Sequence, residues 1–295
     1  MRIGHINSGC IFRSTAALVL FLATSSVVGQ SEGLVEFIEL TEAKLDARIG
    51  VTVNALGSEL SWEYNSNDRF PMSSTFKTIA CAALLHRIDE GLDQLDRVVT
   101  FNEEELVTYS PITEARSGDN GMTLAELCEA TITLSDNTAG NLVLSAIGGP
   151  KGFTDFARSI GDDVTQLDRW ETDLNEALPG DLRDTTTPNA MAALLEELLV
   201  GDTLSVSSRN QLESWLRGNV VGDALLRAGI PNDWEIGDKT GAGGYGSRSI
   251  AAIMWPPSGS PIISAIYITE TDASFEDRNL AIAQIGRAIA NAVSN

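Results

Sequence analysis

The hydrophobic period of this chain changes twice, and no other feature restricts the possible folds so much. Residues 49–56 and 60–64 alternate apolar and polar side chains around a turn at Gly57-Ser58, the signature of a β-hairpin. From Ser74 to about Gly218 the period is helical, with the clearest segments over 124–133, 137–147, 152–160, 188–200 and 207–216. Alternation then returns over 234–239, 249–255 and 261–269, and a last helix is predicted over 275–293. Ahead of the hairpin, Leu34, Phe37, Ile38, Thr41 and Leu45 recur at helical spacing, which predicts an amphipathic helix over 31–48. Strands at both ends bracketing a helical middle point to an α/β plus all-α fold. One antiparallel sheet is built from both ends of the chain, flanked by the terminal helices, with an all-helical domain inserted and a cleft between the two. The α/β domain is expected over 30–70 and 219–295, and the helical domain over 71–218.

Residues 1–29 stand apart. Arg2 and Arg13 carry positive charge with no acid, 16–23 are apolar, and small residues follow up to Gly29, which reads as an export leader. The apolar run falls short of the roughly 20 residues that span a bilayer, and no later segment reaches that length. The chain is therefore expected in the periplasm or secreted, with no membrane contact once the leader is removed. Loss of the leader takes Cys10 and leaves Cys81 and Cys128, which in an exported chain are either a disulfide or two buried thiols.

The formal charge is −21, and removal of Arg2 and Arg13 makes it −23, so nucleic acid is not expected as a partner. Two readings of this acidity stand side by side: simple solubility, or adaptation to salt that screens the self-repulsion. With only four lysines in the chain, two, Lys77 and Lys239, fall in the motifs described next.

The stretch Phe70-Pro71-Met72-Ser73-Ser74-Thr75-Phe76-Lys77 leads into the apolar run 78–85 and reads as a helix opening with Ser74. Three residues on, Lys77 falls on the same helical face, where its amine can approach the Ser74 hydroxyl. A serine hydroxyl is a weak nucleophile unless a base stands beside it, and a desolvated lysine can be that base. About one Ser-x-x-Lys is expected by chance in a chain of this length, and the same residues also read as a cap and a solvated lysine. Ser135-Asp136-Asn137, between two helical segments, and Lys239-Thr240-Gly241, at a strand end, are each much rarer, although each also reads as an ordinary cap or turn.

In the order Ser-x-x-Lys, Ser-Asp-Asn, Lys-Thr-Gly, these motifs resemble the set of class A β-lactamases and their penicillin-binding relatives. The resemblance runs from the first helix to the last. Glu171 and Asn175 look like the family's pair on the omega loop, about 166–184 here, that holds the hydrolytic water. Arg169 and Asp184 match the ion pair at the neck of that loop, and Cys81 and Cys128 match a disulfide found in many members.

The resemblance implies that Ser74 attacks the lactam carbonyl, with Lys77 or Glu171 as the base, while the N–H groups of Ser74 and Ala242 bind the oxyanion and Ser135 protonates the leaving nitrogen. Glu171 then activates the water that frees the serine. Lys239, Thr240 and Arg248 would receive the substrate carboxylate, Asn137 the acylamide, Gly241 the substrate backbone, and Tyr109 would line the mouth. The implied activity is hydrolysis of penicillins and early cephalosporins, conferring resistance to them. Ser73 and Gly243 stand where some carbapenem-hydrolysing relatives have a cysteine pair, so carbapenems are expected to be poorer substrates. No cofactor or metal is implied, the partner is a small β-lactam, and a monomer is expected. A D-alanyl-D-alanine peptidase shares the three motifs but normally lacks the Glu171/Asn175 pair, and a β-lactam sensor is normally tethered by membrane helices. A Ser-His-Asp triad fails because His86 lies over three turns past Ser74, and one histidine with two cysteines cannot build a zinc site.

Overall fold

The computed structural model describes residues 1, 4, 21–118 and 120–294. The leader expected over 1–29 lies mostly outside the described residues. Helix α1 (Phe21–Leu45) ends three residues earlier than its periodicity suggested. Asp46, at φ 45°, turns the chain out of the helix, and Arg48 already belongs to strand β1 (Arg48–Ala55). Strand β2 (Ser61–Tyr64) completes the hairpin. The helical middle runs from α2 (Phe76–Asp89) through α3 (Leu124–Thr133), α4 (Asn137–Ala146), α5 (Gly149–Ser159) and α6 (Pro188–Leu199) to α7 (Val206–Arg217). A four-residue helix, α8 (Leu226–Gly229), precedes the last strands, and α9 (Phe275–Ser294) closes the chain.

Three strands follow α8 in chain order: β3 (Glu235–Ala242), β4 (Arg248–Trp255) and β5 (Ile262–Thr269). The sheet is antiparallel in the order β2-β1-β5-β4-β3, so the last strand of the chain lies between the first strand and β4. The C-terminal strands thus complete what the N-terminal hairpin begins. Alternation along the strands serves two cores. Val51, Ile250, Met254 and Ile266 face α1 and α9 with Leu34, Ile38, Ile282 and Ile285. Ala251, Ile253, Ile263 and Tyr267 face the helical insert with Phe76, Ile79 and Leu195. Burial of both faces explains why β5 is buried along its whole length instead of showing one polar side.

Three boundaries differ from the sequence reading in ways that matter to the site. β3 continues through Lys239-Thr240-Gly241 to Ala242, which pairs with Arg248, because pairing with β4 carries the strand beyond its apolar alternation. Helix α5 begins at Gly149, behind Gly148 at φ 97°, rather than at Gly152. Ser74 does not open the α-helix: it is the middle residue of a short 3₁₀ turn, Ser73–Thr75, before α2, and no side chain caps either element. Pro71 ends a two-residue pairing of Phe70–Pro71 with Thr185–Thr186, which ties the far end of the long polar stretch to the start of the Ser74 turn.

Cys81 on α2 and Cys128 on α3 form a buried disulfide with a Cα–Cα distance of 5.8 Å. It fastens the helix after Ser74 to the helix before Ser135. Among the described residues no helix is long and apolar enough to cross a membrane. Because the bond closes a loop with a sequence separation of 47, the chain-entropy argument gives about 4 kcal/mol of stabilisation. A Cys81→Ala/Cys128→Ala double variant should lower the urea-unfolding free energy by about 3–4 kcal/mol relative to the oxidised chain.

Candidate active site

A buried ion pair forms the centre of the site. Lys77 Nζ lies 3.1 Å from Glu171 Oε1, and neither side chain has solvent exposure. The same ammonium donates to Asn137 Oδ1 at 2.6 Å, to the Ser135 carbonyl at 2.9 Å and to Ser135 Oγ at 3.4 Å. The sequence placed this amine on the Ser74 hydroxyl, but its partners lie instead on α4, on the turn before it and on the omega loop. The Ser74 hydroxyl has Glu171 Oε1 as its partner, at 3.5 Å. One carboxylate oxygen therefore faces both serine and lysine. Burial pushes the Lys77 amine below its ordinary range, and Glu171 partly offsets the shift.

Ser135 joins two lysines. Lys239 Nζ donates to its Oγ at 3.0 Å and to the Thr240 carbonyl at 2.9 Å. With lysine donors occupying its lone pairs, the Ser135 hydroxyl retains its own proton for another acceptor. Burial holds the Lys239 amine well below the ordinary lysine range, and the charge of Lys77 adds to this. Arg248, also buried, donates to the Gly241 carbonyl at 2.9 Å and to Asn279 Oδ1 at 2.7 Å. Burial, with Arg278 nearby, draws its guanidinium down to about 10, which leaves it charged at neutral pH.

Ser135-Asp136-Asn137 is both the cap and the site residues that its composition allowed. Asp136 caps α4 through the Ala139 N–H at 2.8 Å, and it also accepts the N–H groups of Ile112 and Thr113, each at 2.9 Å. That anchoring frees Ser135 and Asn137 to face the lysines. Asn137 gives its Nδ2 to the Thr108 carbonyl at 2.8 Å, and its backbone N–H to the carbonyl of Tyr109. Tyr109 is 55% exposed beside this contact.

The omega loop is closed by Arg169, whose Nε lies 2.6 Å from Asp184 Oδ2 and whose Nη1 lies 2.6 Å from Glu176 Oε2. Asp184 is fully buried and also accepts the N–H groups of Asp168 and Arg169. Within the loop Asn175 Nδ2 donates to Glu171 Oε2 at 2.5 Å, while its buried Oδ1 has no hydrogen-bond partner. Trp170 packs over Gly149, where an added Cβ would lie 3.1 Å from the indole.

Two contributions escaped the sequence reading. Asn141 on α4 clamps the backbone of Glu171 from both sides, accepting its N–H at 2.9 Å and donating to its carbonyl at 3.0 Å. Its only sequence signal is its spacing of four from Asn137, on the same helical face. Gly241 was expected to lie against substrate, and the structure shows that protein also presses on the glycines after Lys239. A Cβ on Gly241 would meet Ser249 Oγ and lie 2.9 Å from the Met72 carbonyl, one on Gly243 would lie 2.8 Å from both Ser73 Oγ and the Asn175 carbonyl, and the Gly244 N–H donates to that carbonyl at 2.8 Å. Ala242 remains exposed at the end of the strand.

The chain has known relatives over most of its length. A model described as the beta-lactamase enzyme family matches residues 34–293. The chain belongs to the class A β-lactamases. It is 49% identical to the β-lactamase AER-1 of Aeromonas hydrophila over 93% of this chain and 90% of that protein. To the β-lactamase PSE-4 of Pseudomonas aeruginosa it is 50% identical over 90% of this chain and 91% of that protein. A solved class A β-lactamase of the last common ancestor of Gram-negative bacteria superposes with a TM-score of 0.85 at 51% identity, covering 90% of this chain and 99% of the other.

The two Asn141 bonds fix where the Glu171 main chain lies. An Asn141→Ala variant leaves a buried N–H and C=O without partners, at about 1–3 kcal/mol each, and should expose residues 166–184 to proteolysis before global unfolding. Limited proteolysis below the thermal midpoint reads this directly.

Proposed function

We propose that this protein hydrolyses the amide of β-lactams through an acyl-enzyme on Ser74, with penicillins and early cephalosporins as its better substrates. The observation that carries the reading is the Glu171 carboxylate, held 3.5 Å from the Ser74 hydroxyl and 3.1 Å from the Lys77 ammonium, with Asn175 gripping its other oxygen.

Of the two bases that the motifs allow, the geometry favours Glu171, because the Lys77 ammonium is committed to three acceptors while Glu171 Oε1 faces the hydroxyl directly or through a water. The Ser74 oxygen attacks the lactam carbonyl, and the N–H groups of Ser74 and Ala242 stabilise the oxyanion by about 3 kcal/mol per donor. Cleavage of the C–N bond takes a proton from Ser135, which Lys239 and Lys77 keep oriented. Lys77, in reach of both groups, replaces that proton and takes up the one Glu171 received from Ser74, so Glu171 is again a carboxylate and Ser135 again a hydroxyl before the second half. In the second half, Glu171 removes a proton from a water that Asn175 Oδ1, otherwise unpartnered, helps to hold. Attack of that water on the ester, with Glu171 passing the proton on to the departing Ser74 oxygen, returns the serine hydroxyl and the free carboxylate. Lys239, Thr240 and Arg248 form the corner for the substrate carboxylate, Asn137 and Gly241 meet the acylamide side, and Tyr109 lines the mouth. Ser73 and Gly243 face each other without a cysteine at either position, in keeping with weak carbapenem turnover.

The same reading treats 30–70 with 219–295 as one domain and 71–218 as the other, with the carboxylate corner on the first and the Ser74, Ser135 and Glu171 groups on the second. It places the mature protein outside the cytoplasm, supported by the apolar leader and by a disulfide of the kind that oxidising compartments sustain. It also takes the chain to act as a monomer without nucleic acid, supported by the charge of −21.

Two measurements test the mechanism. Wild type should turn over many equivalents of a chromogenic cephalosporin, whereas Glu171→Ala should stop as a covalent adduct on Ser74, visible by intact mass. A wild type that halts after one equivalent would make the protein an acylated target and not a hydrolase. The second measurement is the pH profile. Because Lys239 titrates well below the ordinary lysine range, its charge is present below that folded value and lost as pH rises through it. kcat/KM should therefore fall, through KM, on a basic limb that lies below the ordinary lysine range, and Lys239→Arg should move the limb upward.

A further inference from the structure

Outside the catalytic cleft, between the outer limb of the omega loop and the paired ends of strands β1 and β5, lies a second pocket of about 380 Å³, in the size range of small-molecule sites. Four arginines line it, Arg48, Arg69, Arg169 and Arg183, against three acids, Asp68, Asp181 and Glu270. The lining itself thus has one more arginine than acid, in a chain of formal charge −21, with Glu176 and Asp184 behind it as partners of Arg169 and Arg183. Its donors are incompletely used. Arg48 lies 4.3 Å over the Phe70 ring and binds Glu270 at 2.6 Å, yet its buried Nε has no hydrogen-bond partner. Arg69 donates to two neutral acceptors, Thr185 Oγ1 at 2.9 Å and the Val164 carbonyl at 3.0 Å, and pairs with no carboxylate among the described residues.

The other wall is apolar. Ala177, Leu178 and Leu182 line it, with Leu182 60% exposed. A cation is disfavoured by the arginines, a neutral apolar molecule would cover guanidinium donors without satisfying them, and an inorganic anion would make no use of the leucines. What fits is a planar carboxylate for the guanidinium forks, carried on an apolar body.

We propose that this pocket is a second binding site, for an organic carboxylate with an aromatic or branched apolar body, and that its occupant acts on the omega loop. The link is Arg169, which lines the pocket while holding Asp184 and Glu176. A bound carboxylate competes with Glu176 for Arg169 and Arg183, one residue away from Asn175 and its grip on Glu171. The binding half of this inference is independent of the proposed hydrolysis, and the effect on turnover rests on it.

The probe is 2-naphthoate, titrated by calorimetry into the full chain. Wild type should bind it, while 2-naphthamide, of the same shape without charge, should not. Leu182→Asp, a change at an exposed wall position, and Arg48→Gln should each weaken binding by about tenfold. Lys239→Gln, in the cleft, should leave affinity unchanged. Saturating naphthoate should lower kcat for a chromogenic cephalosporin without raising KM. Equal binding of the amide, wild-type affinity in both wall variants, or loss of binding in Lys239→Gln would each overturn the site. An unchanged kcat at saturation would overturn its action on the loop. If the chain hydrolysed no β-lactam at all, the calorimetric arms would still decide the site.

Discussion

Everything around the nucleophile depends on keeping two opposite charges, Lys77 and Glu171, out of water and 3.1 Å apart. Moving such a pair from water to the interior costs several kcal/mol per ion, and their attraction offsets this only where the remaining protons and lone pairs are also satisfied. The surrounding structure meets that condition almost group by group. Asn137 and Ser135 complete the lysine, Asn175 completes the carboxylate, and Asn141 fixes the main chain from which the carboxylate hangs. The partners come from α2, α4 with the turn before it, and the omega loop. The ion pair therefore joins three separate segments, and a fault in any one of them leaves a charge uncompensated.

Such a centre demands backbone that does not relax. Ser73, Tyr109 and Ser135 all have positive φ, at 44°, 65° and 60°, with side chains that make this conformation costly. Each is overdetermined by its surroundings. Ser73 is wedged beneath Gly241 and Gly243, Tyr109 gives its carbonyl to Asn137, and Ser135 is followed by Asp136, whose carboxylate is bonded to two neighbouring segments. The disulfide stiffens the same region from behind by joining the helices that follow Ser74 and precede Ser135. Strain is tolerated here because rigid neighbours on every side leave no alternative arrangement of similar energy.

Charge is distributed with the same economy. The chain has few lysines, and two are fully buried at the site, where desolvation depresses both amines. Arginine takes the structural positions instead, closing the omega loop at Arg169 and bracing the Gly241 end of β3 at Arg248. Its charge survives burial that would neutralise a lysine, and its fork reaches two acceptors at once.

The sequence by itself determined which side chains the proposed chemistry uses and the order of helices and strands, because both are local properties: motif spacing and hydrophobic period. Helix α3 could be read to the residue, since a capping box marks its start and its periodicity is unbroken. It could not give the partner of Lys77, since i, i+3 spacing points toward Ser74 while the buried carboxylate arrives from 94 positions later in the chain. Nor could it show Asn141, one asparagine among many until the omega loop is laid against it, or that protein groups press on Gly241 and Gly243 where a Cβ would stand. Those assignments, with the extension of β3 beyond Lys239 to Ala242 and the arginine-lined pocket behind the loop, depend on which distant segments are pressed together. Only the tertiary structure decided them, because burial, desolvation and close approach arise between segments and leave no period in any one of them.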